Sequence, residues 1–107
     1  MKTILKNLNR NLYEKPVFIA REDKVFQGLP VESKDIILKY LKSFNPEFAT
    51  SRILYDEILH RNIDGYYDVG YFDGVYSWDE KDIYHFEKYN MPLKQEFIDY
   101  ALTKTLD

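Results

Sequence analysis

The chain has 107 residues, of which 45% are apolar and 31% are charged. That length suits one hydrophobic core, so we expect a single domain over residues 1–107. The charged residues are too interleaved for a disordered tail or for a membrane span of about 20 apolar residues, and we expect no membrane partner. The apolar run at the start of the chain breaks at Lys6, unlike that of a signal peptide, which predicts a cytoplasmic protein. Zero cysteines exclude disulfides and thiolate metal sites.

The first half of the chain predicts three helices and one short strand. The first helix ends near Tyr13, and its apolar face comprises Ile4, Leu5, Leu8 and Leu12. The run from Pro16 to Ala20 is rich in β-branched and aromatic side chains and predicts a strand. A second helix is expected from Lys34 to Phe44 with Ser33 as its N-cap, and a third from Thr50 to Arg61.

The second half predicts a turn-rich segment followed by two more helices. Residues 65–76 carry three glycines and alternate in polarity, which indicates a short hairpin or an ordered aromatic loop. The segment from Ser77 to Glu80 has the pattern of a capping box. It predicts a helix that ends at about Tyr89, with Asn90 as its C-cap. A last helix is expected to begin at Pro92. The predicted fold is therefore mainly α, a compact bundle of about five helices with a minor β element.

Charge is distributed unevenly along the chain. Residues 1–63 carry 11 Lys and Arg against 8 Asp and Glu, a net charge of +3, whereas residues 64–107 carry 4 against 10, a net charge of −6. The acidic half disfavours direct contact with nucleic acid and favours a basic protein as partner. The first predicted helix carries a row of basic residues, which we interpret as a solvated face. These residues are Lys2, Lys6, Arg10 and Lys15.

The ten tyrosines exceed what a small core needs, and exposed tyrosines provide contact area at low entropic cost. We therefore predict a partner-binding surface in which carboxylates steer the basic partner and tyrosines anchor it. Its residues are Asp64, Tyr67, Asp68, Tyr71, Asp73, Tyr76, Asp79 and Asp82. Trp78, Phe72 and Phe86 are assigned to the core.

No catalytic or metal-binding pattern emerges from the sequence. A calcium loop that starts at Asp64 would place Tyr66 at its third position and Val69 at its sixth, where a ligand and a glycine are needed. His60 and His85 lack a second ligand at short helical spacing. We predict a protein that is not an enzyme and that uses no metal and no cofactor. Two alternatives stay open: a small metal-dependent enzyme or metal-binding protein that uses the carboxylates from Asp64 to Asp82, and a homo-oligomeric or phage-type accessory scaffold.

The end of the chain resembles a group of bacterial proteins. It is similar in the general pattern of its residues to the immunity proteins of contact-dependent growth inhibition systems, which are encoded beside polymorphic toxins. The similar segments are Asp73 to Trp78, Ile83 to Asn90, and Pro92 with Leu93. The resemblance implies a cytosolic inhibitor that occludes the active site of a cognate toxin, often a basic nuclease. Under this hypothesis the acidic, tyrosine-rich face is the part that enters the toxin.

Overall fold

The computed structural model describes residues 17–22 and 24–106, and these residues form a mixed α/β fold. In chain order the elements are β1 (Val17–Phe18), α1 (Lys34–Leu41), β2 (Phe48–Asp56), β3 (Arg61–Phe72), β4 (Tyr76–Asp79), α2 (Glu80–Tyr89) and α3 (Gln95–Leu106). The expected mainly α bundle of about five helices is therefore wrong. The predicted helix before Tyr13 and its row of basic residues lie outside the described residues. Within the described ranges, no helix is long and apolar enough to cross a membrane.

The four strands form one sheet in the order β1–β4–β3–β2. Strand β1 runs parallel to β4 and pairs Val17 with Tyr76 and Phe18 with Ser77. The other two pairs are antiparallel, and Tyr71 lies opposite Trp78 between β3 and β4. An additional bridge joins Ala20 to Leu93. The strand predicted between Pro16 and Ala20 is thus confirmed.

The core lies between one face of the sheet and the three helices. Trp78 is fully buried, stacks on Tyr71 at 6.2 Å between ring centroids, and donates from Nε1 to the Leu41 carbonyl at 3.3 Å. Because side chains alternate along a strand, Tyr76 and Trp78 face this core while Ser77 and Asp79 face the opposite side. The helices contribute Ile37, Tyr40, Leu41, Ile83, Phe86, Phe97, Ile98 and Ala101 to the same cluster. Trp78 and Phe86 were assigned correctly to the core, and Phe72 is only partly buried.

The helix expected from Thr50 to Arg61 is wrong, since this segment is most of β2, a four-residue turn and the start of β3. Two facts favour the strand. Thr50, Ile53 and Tyr55 are strand-forming residue types, and β3 supplies hydrogen-bonding partners along this stretch. The turn is fixed by Asp56, whose Oδ1 accepts from the backbone N–H groups of Ile58 at 2.9 Å and Leu59 at 2.8 Å.

Residues 65–76 resolve into the β3–β4 hairpin, one of the two structures expected for them. At its turn, Asp73 Oδ1 accepts from the backbone N–H groups of Val75 and Tyr76 at 2.8 and 2.7 Å. Gly74 adopts a φ of 103°, which L-residues with a Cβ rarely tolerate. The aspartate and the glycine together reverse the chain.

The predicted capping box at Ser77 is wrong because Ser77 lies inside β4. The helix begins at Glu80, and Asp79 precedes it as the N-cap residue. The Asp82 carboxylate accepts from the Asp79 backbone N–H at 3.0 Å, so the capping arrangement is shifted by two residues. The C-cap is confirmed, because Asn90 adopts the left-handed conformation with a φ of 59°.

Of the two other expected helices, one is confirmed in position and one begins late. Helix α1 begins at Lys34 as predicted but ends at Leu41 rather than at Phe44, and the Ser33 side chain makes no capping hydrogen bond. The last helix begins at Gln95 rather than at Pro92. The reason is tertiary: the Arg21 N–H donates to the Pro92 carbonyl and the Lys94 N–H to the Ile19 carbonyl, which holds residues 92–94 extended beside the chain after β1.

Candidate protein-interaction surface

Two of the predicted anchors belong to the core. Tyr71 and Tyr76 are each 8% exposed. Burial raises the pKa of Tyr71 above its usual value, and the hydrogen bond that its hydroxyl donates to Glu80 Oε1 at 2.7 Å adds to the effect. Their positions opposite or beside Trp78 explain the burial, since both point to the helix side of the sheet. Neither residue can act as a surface anchor in this fold.

Asp73 also has a structural role rather than the expected steering role. Besides closing the β3–β4 turn, it accepts from the Tyr40 hydroxyl at 2.6 Å through Oδ2. Burial, and then this hydrogen bond, raise the pKa of Tyr40. Both carboxylate oxygens of Asp73 therefore have partners within the protein, and the residue ties the hairpin turn to α1.

Three other predicted carboxylates come together where β3, β4 and the start of α2 meet. Asp68 Oδ1 accepts from the Lys81 backbone N–H at 3.1 Å, and Asp82 Oδ2 accepts from the Asp79 N–H. Burial and then the charge of Asp68 raise the pKa of Asp79. Burial raises the pKa of Asp82 to about 6, with the Asp79 charge adding to the effect and the Asp79 hydrogen bond opposing it. The three side chains thus form one anionic cluster.

Asp64 and Tyr67 lie further along β3, nearer to its first residue, Arg61. Both side chains are exposed, and the adjacent Tyr66 is exposed as well. Gly65 adopts a φ of 88° between them, where the pairing of β3 with β2 is irregular. The role of Asp64 and Tyr67 as partner contacts stays a prediction.

A broad depression of about 660 Å³ lies on the side of the sheet that faces away from the helices. We call this side the outer sheet face. Its lining combines two large aromatic side chains with polar and charged ones: Phe18, Phe48, Ser51, Arg52, Asp68, Ser77 and Asp79. Phe18 is 62% exposed and Phe48 is 56% exposed. Two of the predicted acids therefore share a surface with two exposed phenyl rings.

Sequence reasoning missed both phenylalanines. The signal for Phe18 was available, because consecutive residues of a strand face opposite sides, so Phe18 and the fully buried Ile19 could not both enter one core. Phe48 gave no comparable signal. Its ring lies directly over Gly70, where a Cβ would overlap the ring atoms. The glycine allows the ring to lie flat on the sheet and to form the floor of the depression.

A second depression, of about 340 Å³, lies beside the connection between α2 and α3. The described residues of its lining are largely apolar, include Phe26, Leu29, Met91 and Ile98, and comprise no carboxylate. The outer sheet face is therefore the one of these two depressions that agrees with the predicted acidic contact surface.

A buried polar network that the sequence did not predict supports the hairpin that carries these residues. Asp56 is fully buried and its Oδ2 accepts from the hydroxyls of Tyr84 at 2.6 Å and Tyr89 at 2.5 Å. Burial alone would raise the pKa of Asp56, but the hydrogen bonds outweigh it and hold the pKa well below its usual range. The network fixes the carboxylate in its charged form.

His85 is fully buried beside this network and is structural. Its Nε2 accepts from the Glu57 backbone N–H at 2.9 Å, and its Nδ1 lies 2.7 Å from the Lys81 carbonyl. A carbonyl only accepts, so Nδ1 carries the proton and the ring is neutral. Both ring nitrogens are occupied. Among the described residues, no group of three or more His, Cys, Asp and Glu side chains is arranged to hold a metal ion.

The outer sheet face offers both apolar and charged groups for contact with another molecule. It presents exposed rings, a shallow floor and carboxylates that are already hydrogen-bonded to the backbone. Comparison of the chain with protein-family models, with curated protein sequences and with solved structures finds no match.

Proposed function

We propose that the protein is a binding module for a basic protein and that the outer sheet face is its contact surface. The observation that carries the proposal is the presence of exposed Phe18 and Phe48 in one depression with Asp68 and Asp79. Large apolar rings that stay in water within one surface depression are typical of interaction sites. Carboxylates beside them select a partner that places cations there.

The electrostatics of the anionic cluster supports a basic partner. The mutual repulsion of Asp68 and Asp79 helps to raise the pKa of Asp79, so the two charges destabilise one another in the free protein. A lysine or arginine of the partner, added to Arg52 in the same depression, would reduce that repulsion further. The net charge of −6 over residues 64–107 extends the attraction beyond contact distance, to about 8–10 Å at physiological salt.

The first partner to test is a nuclease-type toxin, because the resemblance described above implies that class. A nuclease groove that neutralises phosphate groups would also attract this acidic surface. In this proposal the protein inhibits the toxin by occupying its active site. Asp64 and Tyr67 lie further along β3 and are exposed, so we retain them as proposed contacts beside this surface, although strand alternation puts Tyr67 on the side of Tyr71 rather than on the outer sheet face.

The test is association kinetics with the basic protein that the chain captures from its source cell. We compare the wild type with a double variant, Asp68→Asn with Asp79→Asn, and with Phe48→Ala. The double variant should associate several-fold more slowly at low salt, with a weaker salt dependence. Phe48→Ala should mainly accelerate dissociation, by an amount on the order of 2 kcal/mol if the ring is a binding hot spot.

Glu96→Gln provides the matched control, because it removes one exposed carboxylate from α3 on the other side of the molecule. It should leave both rate constants nearly unchanged. Because Glu96→Gln removes one charge and the double variant removes two, an effect of Glu96→Gln at least half as large as that of the double variant would show that only net charge matters and would refute a defined contact surface. A partner whose contact surface is acidic would refute the proposal altogether.

A further inference from the structure

Two of the four glycines in the chain follow an aspartate, in the pairs Asp64–Gly65 and Asp73–Gly74. An aspartate rearranges readily before glycine, because glycine has no side chain to hinder its backbone nitrogen. That nitrogen can attack the carboxyl carbon of the aspartate. One pair lies within β3 and the other in the turn between β3 and β4, so the surroundings of each pair in the fold decide which of them reacts.

The fold holds Asp73 in place. Its Oδ1 accepts from the backbone N–H groups of Val75 and Tyr76 at 2.8 and 2.7 Å, and its Oδ2 accepts from the Tyr40 hydroxyl at 2.6 Å. The Asp73 N–H donates to the Tyr76 carbonyl at 3.1 Å. The carboxyl group must rotate towards the Gly74 nitrogen to react, and these hydrogen bonds would have to break first.

Asp64 is not held in this way. Asp64 and Gly65 are both exposed, and the Asp64 carboxylate has no hydrogen bond or ion pair with any other residue that the structure describes. Among described atoms outside the two adjacent residues, none lies within 4 Å of the position that a Cβ on Gly65 would occupy. The side chain can therefore rotate, and a ring formed with the Gly65 nitrogen has space.

Strand β3 is also irregular at this point. Tyr55 lies opposite Asn62 and Ile53 lies opposite Tyr67. Between these two pairs β3 has four residues and β2 has one, which makes a bulge, and within it Gly65 adopts a φ of 88°. A bulge interrupts the regular ladder of hydrogen bonds. The backbone of Asp64–Gly65 can therefore change conformation while the paired positions on both sides stay in place.

We propose that Asp64–Gly65 is a site of spontaneous succinimide formation and conversion to isoaspartate, and that Asp73–Gly74 is protected from it. The Gly65 nitrogen forms a bond to the side-chain carboxyl carbon of Asp64, while its proton and the carboxyl hydroxyl leave as water. Addition of water then opens the ring. Cleavage of the new bond restores aspartate, whereas cleavage of the original peptide bond leaves isoaspartate. The two steps together are an isomerisation, so they need no oxidant or reductant.

Conversion would change the surface at the bulge. In isoaspartate the main chain passes through the side-chain carbons, which lengthens β3 by one carbon and leaves the carboxylate attached directly to Cα. The reaction itself does not depend on the proposed function. If that function is correct, the conversion also alters Asp64 as a proposed partner contact.

The test is incubation of the folded protein at mildly acidic pH in water labelled with heavy oxygen, with a parallel sample unfolded in urea. Cleavage after Arg61 and Lys81 releases one peptide that contains both pairs. Electron-transfer fragmentation then locates heavy oxygen and isoaspartate at each aspartate. In the folded protein both should accumulate several-fold faster at Asp64 than at Asp73. In urea the two aspartates should react at similar rates, because the hydrogen bonds of Asp73 are lost.

Asp64→Glu is the matched control, since it keeps an exposed carboxylate but would have to form a larger and slower-forming ring. Incorporation of heavy oxygen at residue 64 should fall to background in this variant. Equal rates at Asp64 and Asp73 in the folded protein would overturn the proposal. So would wild-type incorporation in Asp64→Glu, or a rate at Asp64 that rises in urea as steeply as that at Asp73. The measurement needs no partner, so its failure is distinguishable from failure of the proposed function.

Discussion

The Tyr89 hydroxyl donates a hydrogen bond of 2.5 Å to Asp56 Oδ2, which joins the last residue of α2 to the last residue of β2. Tyr84 donates to the same oxygen, and the turn after β2 donates two backbone N–H groups to the other. One buried carboxylate thus holds a helix, a strand end and a turn. The hairpin that carries Asp64, Tyr67 and Asp68 depends on this junction.

The first prediction concerns the strength of that junction. Tyr89→Phe should lower the free energy of unfolding by about 1.5–3 kcal/mol, the range for a hydrogen bond to a charged group. Asp56→Ala should cost about 3–5 kcal/mol, because it leaves four hydrogen-bond donors, one of them buried and three partly buried, without their charged acceptor. The measurement is urea unfolding followed by circular dichroism. Tyr67→Phe is the matched control and should stay within about 0.5 kcal/mol, since Tyr67 is exposed. Equal costs at Tyr89 and Tyr67 would contradict the role given to Asp56.

The second prediction is a pH dependence due to Asp82. Its pKa of about 6 in the folded protein lies above the value of about 3.9 for an unfolded chain, so the folded state binds this proton more tightly. Its stabilising contribution is complete below about pH 4 and is lost as the pH rises through 6. The urea midpoint should therefore increase when the pH falls from about 7.5 to about 5.

Asp82→Asn should flatten that pH profile and raise stability at about pH 7.5. The asparagine keeps an oxygen that accepts from the Asp79 N–H but removes the charge. Asp64→Asn serves as the control and should leave the profile unchanged, because Asp64 is exposed and outside the cluster. The network of Asp56 does not interfere in this range, since its lowered pKa places its loss of stability at more acidic pH. A profile that stays steep in Asp82→Asn would assign the effect to another group.

The third prediction concerns Gly28, whose backbone N–H donates to the Tyr89 carbonyl at 3.0 Å. A Cβ at this position would overlap the Asn90 carbonyl oxygen and press on the Pro92 ring. Gly28→Ala should cost about 1–3 kcal/mol in thermal or urea unfolding, as expected for overpacking against backbone. Gly70→Ala is the comparison: its Cβ meets only the exposed ring of Phe48, which can rotate away. A smaller loss of stability in Gly28→Ala than in Gly70→Ala would contradict the overlap with backbone inferred at Gly28.

The fourth prediction uses Trp78, the one tryptophan in the chain, which is fully buried and packed against Tyr71 and Phe44. Its emission should be blue-shifted and resistant to acrylamide quenching in the folded protein, and should shift to the red on unfolding. Binding at the outer sheet face should leave the emission unchanged, because Trp78 faces the other side of the sheet. Strong quenching in the native state would place this residue nearer the surface than the structure does.

Local patterns predicted those elements whose signals are contained in the segment itself. The strand after Pro16, the helix from Lys34 and the C-cap at Asn90 were found this way. The helix assigned to residues 50–61 failed because β2 is an edge strand with most side chains exposed, so it shows no alternation of polarity. The buried Asp56 could not be anticipated, since Tyr84 and Tyr89 are remote in sequence.

Two boundaries were decided by tertiary contacts that compete with equally good local signals. Ser77 and Asp79 both begin plausible capping sequences, and the need of Trp78 to face Tyr71 in the sheet selects the later one. Pro92 is a good first residue for a helix, but pairing with the segment after β1 keeps the chain extended to Lys94.

The spatial arrangement of the candidate surface residues was predicted in part, for the same reason. Clustering of Asp68, Asp79 and Asp82 follows from the hairpin and the helix that succeeds it, and the sequence suggested both. Which tyrosines are exposed depends on strand register, which places Tyr71 opposite Trp78. A register shift of one residue would move Tyr71 from the helix side of the sheet to the outer sheet face.

The parallel pairing of β1 with β4 also sets an order of events during synthesis. Strands β2, β3 and β4 are consecutive in sequence and can form their antiparallel pairs as soon as they leave the ribosome. Strand β1 emerges before them, yet it has no partner until Tyr76 and Ser77 have been made. At a synthesis rate of about 5–20 residues per second, the beginning of the chain therefore waits for several seconds with Phe18 and Ile19 in water. For that interval the nascent chain exposes an unpaired, apolar strand that a chaperone can recognise.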